Sequence, residues 1–375
     1  METRIDKLTK RPVSLLGFGT MRLPTREPDG KIDTARAQEM IDYAYAHGVN
    51  YYDTAYPYHG GESERFIGTA LQKYPRDSFF LADKMPPWHL RAPGDAQRIF
   101  EEQLGKCQVD YFDYYLCHNL TAELVKPFQQ FDVISYLDGE KKAGRIRHLG
   151  FSFHDTPEVL ERVVELYDWD FAQIQLNYLD WDRQNARRQY EILTEHGIPV
   201  IIMEPVRGGT LATLSGDSAS LLREREPERS LASWAIRFAA SLPNVMTVLS
   251  GMSTEEQVED NIATMSGFRP LTDEERELVF RAAELFCKNV TIPCTGCRYC
   301  MECPQGVDIP AIFAAYNEYA VDKSLNGLKR AYEQLGETKQ IHRCVRCGQC
   351  APHCPQGIEI PERLAEIDKI ISGEA

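Results

Sequence analysis

Residues 294–310 read CTGCRYCMECPQGVDIP, and residues 344–361 read CVRCGQCAPHCPQGIEIP. Each segment carries three cysteines at intervals of three residues, then a fourth cysteine followed by proline. Cysteines at this spacing on a winding loop can point their thiolates at different irons of one cube, and each [4Fe–4S] cluster takes four cysteines. The two segments therefore predict two [4Fe–4S] clusters, with the ligands Cys294, Cys297, Cys300, Cys303, Cys344, Cys347, Cys350 and Cys354.

The two segments resemble those of two-cluster ferredoxins, in which the fourth cysteine of each run ligates the other cluster. The resemblance implies that Cys354 completes the cluster of residues 294–300 and that Cys303 completes the cluster of residues 344–350. The first run is one residue shorter before its fourth cysteine than the second run. Zinc is the alternative metal, but zinc ribbons use isolated pairs of cysteines. A disulfide framework fits poorly because the total of 11 cysteines is odd.

The composition argues against several classes of protein. The chain has 375 residues, of which 43% are hydrophobic, enough for one large domain and a smaller one. No apolar run approaches the length of a membrane span, and the first residues lack the apolar region of a signal peptide. The net charge of -14 disfavours binding to nucleic acid or to an anionic membrane. We therefore expect a cytoplasmic protein with neither as a partner.

Short apolar runs alternate with helical patterns through the first 285 residues. Eight strands that alternate with helices over about 250 residues predict an α/β fold, a (β/α)8 TIM barrel. A doubly wound open sheet also alternates, but residues 17–22, GFGTMR, lack the third glycine of its phosphate-binding turn. We expect the barrel in residues 1–285 and a mainly helical, ferredoxin-like cluster domain in residues 286–375. The predicted strands are residues 14–19, 50–55, 79–86, 111–119, 146–153, 171–177, 199–206 and 244–252.

Three predicted strands in succession end at a polar side chain. Asp53 ends the second strand, Lys84 the third and His118 the fourth, and Tyr58 follows Asp53 by five residues. In a TIM barrel the carboxyl ends of the strands form one mouth, where catalytic residues lie. Each residue could instead have a packing role or form a structural ion pair, but together they predict a catalytic site.

These residues resemble the tetrad of the aldo/keto reductases, a likeness that covers most of residues 12–262. The family motif appears as DTAYPY at residues 53–58, followed by Gly60, Gly61, Glu64 and Gly68. The resemblance implies that Tyr58 donates a proton to a carbonyl oxygen while a nicotinamide supplies hydride. It also implies that Lys84, held by Asp53, lowers the tyrosine pKa from about 10, and that His118 orients the carbonyl.

The same resemblance places NADP or NAD at the mouth of the barrel. Ser152 and Gln173 fall where the family holds the carboxamide, and Met203 falls where an aromatic ring usually stacks on the nicotinamide. Residues 251–261 correspond to the segment that binds the adenosine phosphate in the family. At two positions where the family frequently has a cation, this chain has Gly251 and Gln257, which weakens the case for NADPH over NADH. The predicted cofactor-binding residues are Ser152, Gln173, Met203, Ser253, Gln257 and Asn261.

The leading hypothesis is a nicotinamide-dependent oxidoreductase for a small carbonyl or alcohol substrate, fused to a two-cluster domain. Hydride transfer moves two electrons whereas a cluster passes one, and the sequence shows no flavin site that would convert between them. Because each cluster passes single electrons, the clusters are compatible with a redox partner that exchanges one electron at a time. One alternative keeps the enzyme and gives the clusters a structural or oxygen-sensing role. Another is a redox-sensing nucleotide-binding protein with little turnover.

Overall fold

The computed structural model describes the chain except residues 7, 8, 28, 288–291, 323, 374 and 375. In the described part, eight parallel strands close into a barrel in the order β10-β3-β4-β5-β6-β7-β8-β9. This confirms the (β/α)8 prediction, and every predicted apolar run overlaps one strand of the barrel. The strands are β1 (Thr3–Ile5), β2 (Pro12–Ser14), β3 (Leu16–Gly19), β4 (Tyr51–Asp53), β5 (Phe80–Met85), β6 (Phe112–Leu120), β7 (Ile146–Phe153), β8 (Phe171–Gln175), β9 (Val200–Met203) and β10 (Val245–Gly251).

Helices follow the barrel strands, and further helices make up the C-terminal part. They are α1 (Thr34–Ala46), α2 (Glu62–Leu71), α3 (Asp95–Cys107), α4 (Val125–Gln130), α5 (Val133–Lys142), α6 (Pro157–Val164), α7 (Asp180–Arg183), α8 (Ala186–Glu195), α9 (Gly216–Arg225), α10 (Leu231–Ala240), α11 (Glu255–Ser266), α12 (Asp273–Cys287), α13 (Ile309–Asp322), α14 (Leu325–Gln334) and α15 (Ile360–Ser372).

The barrel strands are buried on both faces, as helices on the outside of a parallel sheet require. Alternate residues of neighbouring strands, such as Phe80, Ala82, Tyr114 and Leu116, form one cluster in the barrel core. The residues between them face outward toward the helices. This alternation leaves Lys84 pointing to the same side of β5 as Phe80 and Ala82.

Local sequence signals start two of the helices. The Asp33 carboxylate accepts a hydrogen bond from the Arg36 backbone N–H at 3.3 Å and caps α1. At the start of α12, the Thr272 hydroxyl accepts from the Glu275 N–H at 3.3 Å, and the Glu275 carboxylate accepts from the Thr272 N–H at 2.9 Å. These reciprocal bonds form a capping box.

The chain packs as two compact units. One unit contains Met1–Val206 and Ala232–Glu277, and the other contains Arg207–Leu231 together with the residues from Leu278 onward. The segment 207–231 follows β9, yet it packs with the cysteine-rich part of the chain. No helix in the described ranges is both long enough and apolar enough to cross a membrane.

The second unit has a hydrophobic core of its own. Its buried residues are mainly aliphatic, and five of the motif cysteines pack against them. The helices α13 and α14 lie between the two cysteine runs, in keeping with the mainly helical domain that the sequence predicts. The core residues include Val307, Ile309, Ile312, Phe313, Ile341, Ile360, Leu364 and Ile367.

Candidate active site and cysteine cavities

The barrel mouth contains a buried ion pair between two neighbouring strands. Lys84, which is 1% exposed, donates from its Nζ to the Asp53 Oδ1 at 2.6 Å and to the Thr54 backbone oxygen at 2.6 Å. Asp53 is the last residue of β4, and Lys84 is the penultimate residue of β5. Because the strands run parallel in register, their carboxyl ends place both side chains at one edge of the barrel.

Tyr58 lies next to this pair in a short 3₁₀ helix, Tyr58–Gly61. Its backbone N–H donates to the Ala55 oxygen at 3.1 Å, which starts the turn directly after β4. Gly60 and Gly61 then have φ angles of 65° and 91°, a left-handed backbone that favours glycine. The turn places the Tyr58 ring centroid 5.0 Å from the Lys84 Nζ.

His118 completes the predicted set from β6. Its ring lies 6.4 Å from that of Tyr58 and nearly perpendicular to it. Burial, then the positive charge of Lys84, and then His154, hold the pKa of His118 well below its usual range. The imidazole is therefore neutral at ordinary pH, and its Nδ1 has no hydrogen-bond partner among the described residues. A buried neutral imidazole of this kind is suited to form a hydrogen bond with a polar ligand atom rather than to carry a positive charge.

A second group of buried polar residues is connected to Lys84 by hydrogen bonds. The Gln103 Nε2 donates to the Lys84 backbone oxygen at 3.0 Å and to the Glu64 Oε1 at 2.9 Å. The Lys106 Nζ lies 3.0 Å from the other oxygen of Glu64. The sequence flagged Glu64 as part of a motif, but Gln103 and Lys106 on α3 are too far along the chain to be linked to it by spacing.

The predicted carboxamide-binding residues lie on adjacent strands. Ser152 and Gln173 are register partners in β7 and β8. The Ser152 hydroxyl accepts from the Asn119 backbone N–H at 2.7 Å, and the Gln173 Nε2 donates to the Asp53 Oδ2 at 3.1 Å. Sequence reasoning missed Asn119, whose buried side-chain oxygen has no hydrogen-bond partner in the described part of the chain. Its position directly after His118 was the available signal.

The remaining predicted cofactor residues lie at the ends of β9 and β10. Met203 is the last residue of β9 and is partly exposed. The Ser253 hydroxyl donates to the Arg22 backbone oxygen at 2.7 Å, and the Gln257 side chain accepts from the Ser253 N–H at 2.7 Å. The Asn261 Nδ2 donates to the Ser250 hydroxyl at 3.0 Å. These bonds fix the loop that leads into α11.

The space beside Gly251 is filled by another side chain. A Cβ at Gly251 would lie 3.2 to 3.3 Å from the aliphatic carbons of Arg22. The aliphatic part of Arg22 therefore covers Gly251, and the Arg22 NH2 lies 3.5 Å from the Glu204 carboxylate. The first turn of α11 carries two acidic residues, Glu255 and Glu256. That negative charge disfavours a phosphate at the same helix end.

One aromatic ring stands beside the catalytic candidates. Trp88, in the loop after β5, is partly exposed, and its ring lies 5.2 Å from that of His118. Trp181 in α7 packs edge-on against Phe238 at 5.6 Å and is 9% exposed. The accessible aromatic surface beside His118 therefore comes from Trp88.

The eight motif cysteines surround cavities in the second unit. One cavity, with about 310 Å³ of space that is partly open to solvent, is lined by Cys294, Cys297, Cys300 and Cys354. Another, with about 370 Å³, is lined by Cys303, Cys344, Cys347 and Cys350. Each set combines three cysteines of one run with the fourth cysteine of the other, as the ferredoxin resemblance implies.

The cysteine sets have the donor chemistry of iron–sulfur sites. Burial, followed by the neighbouring Cys297, Cys294 and Cys354, raises the pKa of Cys300 to about 12. Burial and three neighbouring cysteines also raise the pKa of Cys350. Four thiols that crowd together in this way need a cationic centre before all of them can ionise. The residues present therefore fit a four-cysteine cluster in each cavity.

Comparison with known protein families accounts for both parts of the chain. A model of the aldo/keto reductase family matches residues 15–283, and a model of the 4Fe-4S dicluster domain matches residues 293–359. The first match covers well over half of the chain. Arg207 and the segment that follows it belong to the first match in sequence and to the second unit in packing.

Individual proteins show the same likeness over the reductase part. The chain is 26% identical to the uncharacterized oxidoreductase YqkF of Bacillus subtilis, over 70% of this chain and 90% of that protein. It is 24% identical to the NADH-specific methylglyoxal reductase of Escherichia coli, over 72% of this chain and 95% of that protein. The holo form of aldo-keto reductase AKR11C1 from Bacillus halodurans superposes with a TM-score of 0.60 at 27% identity, over 75% of this chain and 96% of that one.

Proposed function

This chain belongs to the aldo/keto reductase family and is an oxidoreductase of that type, and from that premise we propose that it interconverts a small carbonyl compound and its alcohol. The observation that supports this most directly is the buried Lys84 ammonium, held by Asp53 at 2.6 Å and lying 5.0 Å from the Tyr58 ring centroid. A phenol beside a fixed cation is the arrangement that proton donation to a carbonyl oxygen needs.

We assign the proton to Tyr58. When the Tyr58 hydroxyl gives up its proton, the nearby Lys84 charge stabilises the phenolate that forms. His118 is a poor alternative proton donor, because its low pKa keeps the imidazole neutral. A neutral imidazole can still donate one hydrogen bond, and we propose that His118 orients the carbonyl oxygen and stabilises negative charge on it. Trp88 supplies an apolar wall next to that position.

When bound, the nicotinamide of NADH or NADPH would supply the hydride. We propose that Ser152, Gln173 and Met203 contact the nicotinamide, and that Ser253, Gln257 and Asn261 contact the adenosine end. Asn119, whose backbone N–H donates to Ser152, has a side-chain oxygen without a hydrogen-bond partner among the described residues, and this oxygen suits a carboxamide donor. The acidic first turn of α11 and the absence of cations at Gly251 and Gln257 favour modest discrimination against NADH.

Substitution of Tyr58 by phenylalanine tests the assignment. Tyr58→Phe removes only the proton donor, so we expect carbonyl reduction to fall by roughly 10²- to 10⁴-fold, with dissociation constants for NADH and NADPH nearly unchanged. Tyr56→Phe is the matched control, because the Tyr56 hydroxyl faces Glu102 at 3.3 Å and belongs to no proposed role. Steady-state rates with simple aldehydes and nucleotide titrations measure both. Near wild-type turnover in Tyr58→Phe would refute the assignment.

For the second unit we propose two [4Fe–4S] clusters, one in each cysteine cavity. When bound, such clusters pass one electron at a time. The dicluster domain match and the two sets of four cysteines support this proposal. We assign residues 1–285 to the reductase and residues 286–375 to the cluster domain, and we place the protein in the cytoplasm with a small-molecule substrate and a one-electron redox partner.

A structural role for the clusters is the second candidate. The observation that favours it is the core of the second unit, in which the cysteines pack directly against buried aliphatic residues. Loss of the clusters would then unfold this unit without changing the carbonyl reductase rate. A reductase rate that falls when the clusters are removed from a still-folded protein would favour electron transfer instead.

A further inference from the structure

Arg207 is a buried arginine that no proposed catalytic step uses. It is 2% exposed and begins the segment that packs with the cysteine-rich unit. Its guanidinium NH2 donates to the backbone oxygen of Pro293 at 3.1 Å and to the Gln356 Oε1 at 3.3 Å. A buried cation is costly unless the surrounding groups compensate it. The groups that accept hydrogen bonds from Arg207 therefore indicate which part of the structure its charge stabilises.

These two hydrogen-bond acceptors lie within two residues of cysteines that line the same cavity. The Pro293 oxygen belongs to the peptide bond that joins Pro293 to Cys294, and Gln356 follows Cys354 by two residues. Cys294 and Cys354 line one cavity, although sixty residues separate them in the chain. The guanidinium group thus ties together the two segments that must meet around that cavity.

We propose that Arg207 is a positioning residue for the cluster of Cys294, Cys297, Cys300 and Cys354, and that its charge raises the reduction potential of that cluster. This inference rests on the proposed function, in which the cavity binds a [4Fe–4S] cluster. Reduction adds one electron, and hence one negative charge, to the site. A buried cation nearby stabilises the reduced form more than the oxidised form, because little water is present to screen it.

Two other arginines of this unit have more exposed surroundings. Arg298 lines the same cavity, but its side chain is 58% exposed and lies 3.6 Å from the Asp308 carboxylate. The sequence CPQG occurs at residues 303–306 and again at 354–357. Gln305 in the first copy is equivalent to Gln356 in the second, and the Nε of the exposed Arg343 donates to the Gln305 backbone oxygen at 3.2 Å. Solvent screens both of these charges. Arg343 is therefore a matched control for Arg207, since each arginine contacts the equivalent glutamine of one repeat.

The test is a potentiometric titration of the full-length protein, purified without oxygen and reduced stepwise with dithionite while its electron paramagnetic resonance spectrum is recorded. Arg207→Gln removes the charge, and we expect one midpoint potential to fall by about 59 mV or more, the equivalent of a tenfold change for one electron. Arg207→Lys keeps a charge but loses the forked geometry, so a smaller fall is expected. Arg343→Gln should shift neither midpoint by a comparable amount.

Iron and labile sulfide are measured first on every variant. A wild-type protein without both would overturn the proposed function itself. If Arg207→Gln holds its clusters and both midpoints equal those of wild type, the inference is overturned while the proposed function stands. If Arg207→Gln does not assemble, Arg207→Lys decides the matter, because an unchanged pair of midpoints in that variant contradicts a role for the Arg207 contacts.

Discussion

Two histidines at the barrel mouth must stay neutral when the protein is folded. Burial lowers the pKa of His154 to about 4, and burial together with Lys84 lowers that of His118 further below its usual value near 6.5. In the unfolded chain both imidazoles bind protons below about pH 6.5. The unfolded state thus takes up more protons between pH 6.5 and 4, so the free energy of unfolding decreases as the pH falls through that window.

This dependence predicts the behaviour of His154→Gln. Above pH 7 the substitution leaves the pH dependence of the unfolding free energy unchanged, since His154 is neutral in both the folded and the unfolded state. Between pH 6 and 4 the free energy of unfolding should fall less steeply in the variant than in wild type. The difference is up to about 1.4 kcal/mol per pH unit, the value for one proton. Denaturant unfolding followed by tryptophan fluorescence measures this, because all four tryptophans lie in the barrel unit. His47→Gln, at an exposed position, is the control, and equal slopes in His154→Gln and wild type would contradict the argument.

Among the secondary-structure elements, the contact between α2 and α3 depends on one glycine. A Cβ at Gly68 would lie 2.6 Å from the backbone carbon and oxygen of Cys107 at the end of α3. Backbone atoms cannot move aside as a flexible side chain can, so the two helices would have to separate. This approach also brings Glu64 on α2 to Gln103 and Lys106 on α3, and Gln103 in turn donates to the backbone oxygen of Lys84.

We therefore expect Gly68→Ala to destabilise the barrel by about 1–3 kcal/mol, the usual cost of overpacking. Gly105→Ala is the matched control on α3, where nothing lies within 4 Å of the added Cβ. That substitution should stabilise the protein by about 0.4–1 kcal/mol, since alanine restricts the unfolded chain more than glycine does. Chemical denaturation of both variants shows the opposite signs, and a stable Gly68→Ala would disprove the close contact.

Sequence reasoning recovered those elements whose signals are local. The barrel strands are continuous apolar runs, and the caps of α1 and α12 lie within three residues of their partners, so each could be predicted from a short window. The hairpin of β1 and β2 was not predicted, because three-residue strands carry little periodicity. The bond from Gln103 to Lys84 and the packing of Arg22 over Gly251 were also missed. They join residues far apart in sequence, and no spacing rule connects them.

On the scale of the whole molecule, the reductase sequence and the compact units divide the chain at different places. The family match runs through residues 15–283, whereas the residues 207–231 pack with the cysteine-rich unit. The segment could not be assigned to that unit from sequence, because its composition resembles that of any loop and helix of a barrel. Its integrity should therefore depend on the clusters, as structural metal sites commonly stabilise the domains that bind them.

Cys354→Ala tests this dependence and the shared-ligand arrangement together. The substitution removes the fourth thiol of the cavity lined by Cys294, Cys297 and Cys300. We expect that cluster to be lost or altered in the electron paramagnetic resonance spectrum and in the iron and sulfide content. Trypsin should then cut faster within residues 207–231, where Arg223 and Arg225 end α9, while the fluorescence-detected unfolding of the barrel stays near that of wild type.

Cys287→Ala, which changes a cysteine outside both cavities, is the control and should preserve the clusters and the resistance to trypsin. Loss of only the cluster bound by Cys344, Cys347 and Cys350 in Cys354→Ala would refute the shared-ligand arrangement. Unchanged cleavage within residues 207–231 after the cluster is lost would show that the segment holds its place without the metal. The free energy that orders this part of the reductase sequence would then come from its apolar contacts alone.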